Sequence, residues 1–485
     1  MTPIFLETYS TGLYKKGRIV QVLQKLFLFF LKPLEKPINM VNTKVKDAIV
    51  FLSFVLCVGF FLIFFNPVFD IRKEHTLAHL ICSVFLAIMM VFSIKGDLSK
   101  VKWNPYIFYV FFLSGLGILA ISFLHPIGSG YRAFAMLMMF GFPCIYFVWN
   151  NRRDYESLYN KLSAATALVG IVYYVYCIYL AHNGRLAITE GRVNGSFYDA
   201  NMFSMIGMIA VCASLYMLLV KRDSVAWFLF TAIAFGSGIN ITLLGQSRLA
   251  VLVILGAMFA FTIYYLKTQK TFSASTSWIV KFLRSLVLLA SLLMFLAAGS
   301  VMLSINSSAI ADKTVETETQ NTTEVTDETQ VPPAKMENTP DSVADRFNTD
   351  GKDLDTYTAG RYHIWKGYAQ FLNMTGNDFS KADWVALTQK AVKHAHNNFL
   401  EIAYRCGIPV ACLHLLLELM AGIICLIWLF GSRYKEPIYM FCISFMVCYA
   451  VQSLFDIATI PFERPAPFYF YMAMIPMFTF GSEDA

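Results

Sequence analysis

Residues 104–124 read NPYIFYVFFLSGLGILAISFL, twenty-one residues without one charged side chain. At about 1.5 Å of rise per residue such a helix covers about 30 Å, the thickness of a bilayer's hydrocarbon core. The run therefore reads as a membrane span, and that reading decides the fold. Outward from it the pattern repeats, with apolar runs of about crossing length at 47–68, 76–94, 129–150, 160–181, 199–220, 225–244, 249–267, 279–305, 400–430, 437–457 and 466–481. The expected fold class is an all-α polytopic membrane protein of about twelve transmembrane helices.

Composition agrees. The chain has 485 residues, 57% hydrophobic and only 15% charged, where soluble domains carry about 25% charged residues. A soluble enzyme, a disordered protein and a secreted disulfide scaffold are excluded. The 44 Phe, 25 Tyr and 7 Trp suit lipid contact and the bilayer interfaces. The ten cysteines lie almost wholly within spans, and no CxxC spacing occurs, so neither disulfides nor a metal cluster is expected.

Sidedness follows from Lys and Arg, which are retained in cytoplasmic loops. An N-terminal tail holds Lys15, Lys16, Arg18, Lys25, Lys32, Lys36, Lys44 and Lys46. Every second connection is basic too: Lys95, Lys100 and Lys102; Arg152, Arg153 and Lys161; Lys221 and Arg222; Lys267, Lys270, Lys281 and Arg284; Arg433 and Lys435. Both termini are expected to be cytoplasmic. Segment 18–36 reads either as an amphipathic helix on the anionic inner leaflet or as a basic tail that only enforces topology. No cleavable signal peptide is read in 1–46, because no small-residue cleavage site follows an apolar run.

One connection differs from the rest. Residues 306–398 form an external loop of about ninety residues, so mass is concentrated on one face. The expected division is a cytoplasmic basic tail (1–46), helices one to nine (47–305), an acidic disordered linker (306–358), a helical extracytoplasmic catalytic loop (359–398), and helices ten to twelve with a short cytoplasmic tail (399–485). The linker is rich in Thr, Glu and Asp and too poor in apolar residues to fold. Its Asp353-Leu354-Asp355 reads as a chance match to a metal-binding DxD. In contrast, AGRYHIWKGYAQFL and WVALTQKAVKHAHNNFLEIAYRCGIP are amphipathic at helical period, which predicts two short helices over the membrane mouth.

The residues with chemical potential gather on that face. In HAHNNFLEIAYRCGI, Asn398 followed by Glu401 is a capping-box variant and predicts Asn398 as the N-cap of the tenth span. His396 and Asn397 then sit at the electropositive helix end, with His394 two residues away on a different face. An imidazole there suits a general base; a plain surface histidine is the alternative. Arg192 lies in HNGRLAITEGRVNGSFYDAN, Arg248 in the tight turn LLGQSRLA, and Arg361 heads RYHIW. Guanidinium binds phosphate oxygens bidentately, while snorkelling or headgroup contact is the bland reading of each. Within the tenth span, His414 and Glu418 stand i,i+4 and can pair, as a proton relay or as a structural pair.

His396-Asn397, then nine residues, then Gly407 resembles the external-loop motif of the bacterial O-antigen ligase and O-antigen polymerase family. The Gly-Ser-Phe segment 195–197 with Asn201 after Arg192, the Ser247-Arg248 turn, and Arg361 with Trp365 resemble its other landmarks, in the same order over roughly 190–410. Two departures stand out: Val410 where the family often has a second Gly, and Leu249 where Gly is common after Ser-Arg. The resemblance implies a membrane-embedded glycosyltransferase in the bacterial cytoplasmic (inner) membrane that takes its glycan from polyprenyl diphosphate on the extracytoplasmic face. His396 would be the base, Arg192, Arg248 and Arg361 the diphosphate binders, and Asn397, Asn201 and His394 supporting residues. No cofactor or metal is expected, and displacement would invert the anomeric centre. The expected partners are the polyprenyl-diphosphate-linked donor, a glycan or lipid-linked acceptor, the bilayer, and polysaccharide export and assembly proteins, with no nucleic acid. Between ligase and polymerase the reading leans to polymerase of a surface polysaccharide, since nothing points to a particular core acceptor. The competing class is a transporter, a lipid-linked oligosaccharide flippase or a proton-coupled carrier using His414 and Glu418.

Overall fold

The computed structural model describes residues 18–64, 75–125, 127, 129–189, 191–197, 199–220, 224–272, 278–321, 361–377, 394–456 and 458–481. The expectations for Lys15 and Lys16, for Lys221 and Arg222, for the linker from 322 to 358 with its Asp353–Asp355, and for residues 384–393 of the second amphipathic stretch lie outside them.

The chain is helical: α1 (Arg18–Met40), α2 (Thr43–Phe64), α3 (His75–Phe92), α4 (Pro105–Leu124), α5 (Ser129–Met136), a π-helical turn (Leu137–Gly141), α6 (Phe142–Arg152), α7 (Tyr155–His182), α8 (Ala200–Leu219), α9 (Val225–Leu244), α10 (Arg248–Phe272), α11 (Trp278–Asn321), α12 (Arg361–Ala369), α13 (Asn398–Cys406), α14 (Ile408–Phe430), α15 (Ile438–Phe455) and α16 (Pro465–Ala473), closed by a 3₁₀ turn (Pro476–Thr479). A two-stranded antiparallel ribbon, β1 (Ala187–Thr189) and β2 (Arg192–Gly195), joins α7 to α8. Among the described residues nine helical stretches are long and apolar enough to cross a membrane, and they coincide with nine of the runs read from the sequence. α2 and α3 cover two further runs.

The last run behaves differently. Instead of one helix over 466–481, nine residues of α16 give way to the 3₁₀ turn at Pro476. The proline removes the N–H that Met472 O would accept, and Tyr159 Oη donates to that carbonyl instead at 3.2 Å; Tyr146 Oη donates to Tyr471 O at 2.7 Å. A broken helix is tolerable here because it is buried on every side, with Tyr469 stacked on Phe445 at 4.4 Å and Phe470 on Tyr449 at 3.9 Å.

α8 is the axis of the bundle and is buried almost throughout. Close approach of α9 is permitted by glycines: a Cβ on Gly207 would lie 2.6 Å from Thr242 Oγ1, and one on Gly238 would lie 2.8 Å from Gly207 O. Val410 is accommodated in the same way, because a Cβ on Gly117 of α4 would lie 2.8 Å from Val410 Cγ2. The glycine that allows close packing stands on the facing helix.

Charged residues divide the bundle into two ends. At one end Lys161 bonds Asp47 at 3.0 Å, Arg152 bonds Asp154 at 3.1 Å, and Lys267 caps α14 through Trp428 O at 2.6 Å. The amphipathic α1 lies at this end, where Gln24 bonds Val101 O at 2.9 Å and Glu35 accepts from Leu98 N at 2.8 Å, while Phe29 and Phe30 stay exposed. Asn104 holds Phe480 O here at 3.0 Å, so the last described residues also lie at the basic end. α11 also runs through Asn321, into the stretch read as linker; helix propagation costs little once a long span has nucleated it.

Candidate functional site

The opposite end of the bundle carries the polar residues singled out above. Asn397, and not Asn398, is the N-cap of α13: its side chain accepts from Leu400 N at 3.0 Å, and its amide donates to Leu454 O at 3.0 Å. Nor does Glu401 close a capping box. Its carboxylate turns to Ala395 N at 2.9 Å, to His394 Nδ1 at 3.4 Å and to Arg405 one turn on. Burial by itself would push the Glu401 carboxyl up, yet the Arg405 guanidinium, with His394 and the Ala395 N–H, holds it down at about 2.

The apolar run 400–430 is likewise two helices. It breaks at Gly407, whose φ of 86° and ψ of 156° suit only glycine. A Cβ there would stand 2.7 Å from the Met374 carbonyl carbon. Residues 370–377 cross this break and are stapled to it: Ile408 N donates to Asn373 O at 2.9 Å and Asn377 N to Tyr404 O at 2.9 Å. The staple, with a small core of Tyr368, Ala395 and Tyr404, fixes α12 beside α13.

His396 occupies the junction of these pieces. Its φ is +49°, a left-handed conformation uncommon for a residue with a Cβ. Three contacts hold it: Trp365 Nε1 donates to His396 O at 3.3 Å, Asn397 is tied into the cap, and His396 Nδ1 faces Asp456 Oδ1 at 3.3 Å. The His396 ring is about one-third exposed, whereas Asp456 is buried. Asp456 Oδ2 lies 4.0 Å from Arg464, the N-cap of α16, which touches the Met202 sulfur of α8. An imidazole with a buried carboxylate on Nδ1 and a partly exposed ring is equipped to take a proton.

The predicted arginines stand on three different elements. Arg192 heads β2 and is aimed by two bonds, Nε to Gly245 O at 3.0 Å and Nη2 to Asn201 Oδ1 at 2.8 Å. Asn201 is next to Met202, so Arg192 and Arg464 reach the same first turn of α8. Arg248 begins α10 three residues beyond Gly245. Arg361 begins α12, one turn before Trp365. All three predicted arginines are half-buried. His394 turns away to Glu401 and does not join His396. His414 and Glu418 do approach, Nε2 to Oε1 at 3.5 Å.

Asp456 and Arg464 were missed from the sequence. The signal was present: in SLFDIATIPFERP they are two of only three charged side chains at the outer ends of the last two apolar runs.

The fold is that of a multi-pass helical membrane protein, with the His396–Asp456 pair and Arg464 beside it at one end. Residues 233–415 match the family model described as O-antigen ligase (Wzy_C). The match supports the O-antigen ligase and polymerase family and an O-antigen ligase-like function in a bacterial membrane. The matched residues include Arg248, Arg361, His396 and His414 and leave out Arg192, Asp456 and Arg464. No curated protein matches the chain.

Proposed function

We propose that the protein is an inverting, metal-independent glycosyltransferase that moves a glycan from polyprenyl diphosphate to a sugar hydroxyl, at the outer face of the bacterial cytoplasmic membrane. The observation that carries the reading is the His396–Asp456 pair, 3.3 Å apart, with Arg464 beside the carboxylate. His396 Nε2 takes the proton of the acceptor hydroxyl as its oxygen attacks the anomeric carbon. The bond from that carbon to the diphosphate oxygen breaks, and its electron pair leaves with the diphosphate. Attack opposite the leaving group inverts the centre. Arg192, Arg248 and Arg361 neutralise the departing diphosphate through bidentate bonds, and Arg464 adds a fourth guanidinium beside Asp456. Asp456 holds the imidazole in the tautomer that leaves Nε2 free and stabilises the imidazolium that forms.

Orientation follows from charge. The end that collects Lys95, Lys100, Arg152, Arg153, Lys267 and Arg433 is placed in the cytoplasm by the retention of basic loops, which puts His396 and the catalytic loop 359–398 outside. Polymerisation of lipid-linked repeat units is preferred over ligation, because the chain shows no feature specific to one core acceptor. The test is His396→Ala in a polysaccharide-producing host: single-repeat lipid-linked glycans accumulate at unchanged protein level, and activity of the purified wild type persists in chelator. Normal chain length in His396→Ala overturns the base assignment. Loss of activity in chelator overturns metal independence.

A further inference from the structure

Below His396 lies a group of buried polar side chains that the reaction as written does not use. Glu418 of α14 accepts from Asn398 Nδ2 at 2.9 Å and from Tyr449 Oη at 3.0 Å through Oε1, and from Ser453 Oγ at 3.5 Å through Oε2. Tyr449 Oη also meets His414 Nε2 at 3.0 Å and Asn398 Nδ2 at 3.1 Å, and His414 Nδ1 faces Ser114 Oγ at 3.4 Å. The remaining polar atom of Asn398, Oδ1, accepts from Thr459 Oγ1. One arrangement of protons satisfies the bonds among Ser114, His414, Tyr449, Asn398 and Glu418 Oε1: Ser114 donates to Nδ1 of His414, Nε2–H of His414 donates to Tyr449, Tyr449 donates to Glu418, and Asn398 gives both its protons inward.

The connections reach the site. Asn398 is two residues from His396, and Thr459 is three residues from Asp456. The Asn398–Thr459 bond therefore closes a ring with the His396–Asp456 contact, tying together two chain segments that are otherwise distant in sequence. What fixes the ring is the orientation of one amide. With Glu418 beneath it, Asn398 must point Nδ2 down, and only then does Oδ1 face Thr459. His396, in its left-handed conformation, needs such over-determined surroundings to stay where it is.

We propose that Glu418 is a positioning residue: as a hydrogen-bond acceptor it orients the Asn398 amide and thereby holds His396 against Asp456. The inference rests on the reading of His396 as the base. It also accounts for the His414–Glu418 pair without proton transport, since His414 serves to orient Tyr449 toward the same carboxylate.

The test uses full-length protein reconstituted in liposomes with a polyprenyl-diphosphate-linked glycan donor. Glu418→Leu is expected to lower kcat by about 10- to 100-fold, the scale of a displacement on the order of 1 Å at a reacting group. Its KM for donor should stay within about twofold, because the diphosphate arginines lie on other elements. Glu418→Gln keeps an acceptor oxygen for Asn398 and Tyr449 and is expected to restore kcat to within about threefold of wild type. Should the leucine variant not fold, Thr459→Val opens the same ring by one hydroxyl and is expected to lower kcat likewise. Wild-type kcat in a folded Glu418→Leu or in Thr459→Val overturns the proposal. A glutamine variant as slow as the leucine variant also overturns it, since charge and not acceptance would then be what matters. His396→Ala run in parallel separates the two readings: if it is inactive while Glu418→Leu is fully active, only the positioning role falls; if it is fully active, the base assignment itself falls.

Discussion

Asp456 Oδ1 stands 3.3 Å from His396 Nδ1 although sixty residues separate them in the chain. The pair joins the loop before α13 to the end of α15. Removing the base by His396→Ala should cost about 10² to 10⁴ in kcat. Asp456→Asn keeps the side chain's shape but removes the charge that favours the imidazolium, and should cost about tenfold or more. Single-turnover transfer by purified variants checks both, and Asp456→Asn at wild-type rate would remove Asp456 from the site.

Arg192 is aimed by two bonds, so its guanidinium plane is set in advance. Arg192→Lys keeps the charge but offers no planar fork, and should recover little of the activity lost in Arg192→Ala. The same comparison at Arg248 and Arg361 tells a diphosphate binder from a general attractor of anions. Full rescue by lysine at all three positions would favour the second.

Glu401 and Arg405 form an ion pair in α13 in which both side chains are nearly inaccessible. Glu401→Gln leaves Arg405 buried without its countercharge and should destabilise the protein by about 3–5 kcal/mol. The pH dependence has a definite sign. Because the folded-state carboxyl is held down at about 2 against an ordinary 4.5, its contribution is complete above about pH 4.5 and is lost as pH falls toward 2. Thermal unfolding in detergent should show wild type losing this increment over that window while Glu401→Gln, already lowered, does not.

Gly407→Ala introduces a methyl group 2.7 Å from the Met374 carbonyl carbon at a backbone angle that alanine avoids. It should lower stability by about 1–3 kcal/mol and loosen the staple that carries Arg361 and Trp365. A melting temperature equal to wild type would show that the 370–377 crossing can shift freely.

The sequence displayed the spans because a crossing helix must be apolar along its length, a property of composition alone. It made His396, Arg192, Arg248 and Arg361 candidates because charge at the edge of an apolar run is conspicuous. What it concealed was pairing across distance. Nothing local to Asp456 announces an imidazole sixty residues earlier, and the caps at Asn397 and Asn398 differ only in which amide turns inward. The break at Gly407 was concealed for a related reason, since apolar residues continue on both sides and the close approach of Met374 comes from another segment. In the last run, the burial of α16 on all sides lets Pro476 interrupt a crossing that hydropathy reads as continuous.

The most direct test of the account is release of polyprenyl diphosphate by purified protein given lipid-linked donor and acceptor glycan in the presence of chelator, comparing wild type with His396→Ala. The account predicts turnover by wild type, an inverted linkage in its product, and release from His396→Ala reduced by at least about 10². Undiminished release by a folded His396→Ala would contradict it.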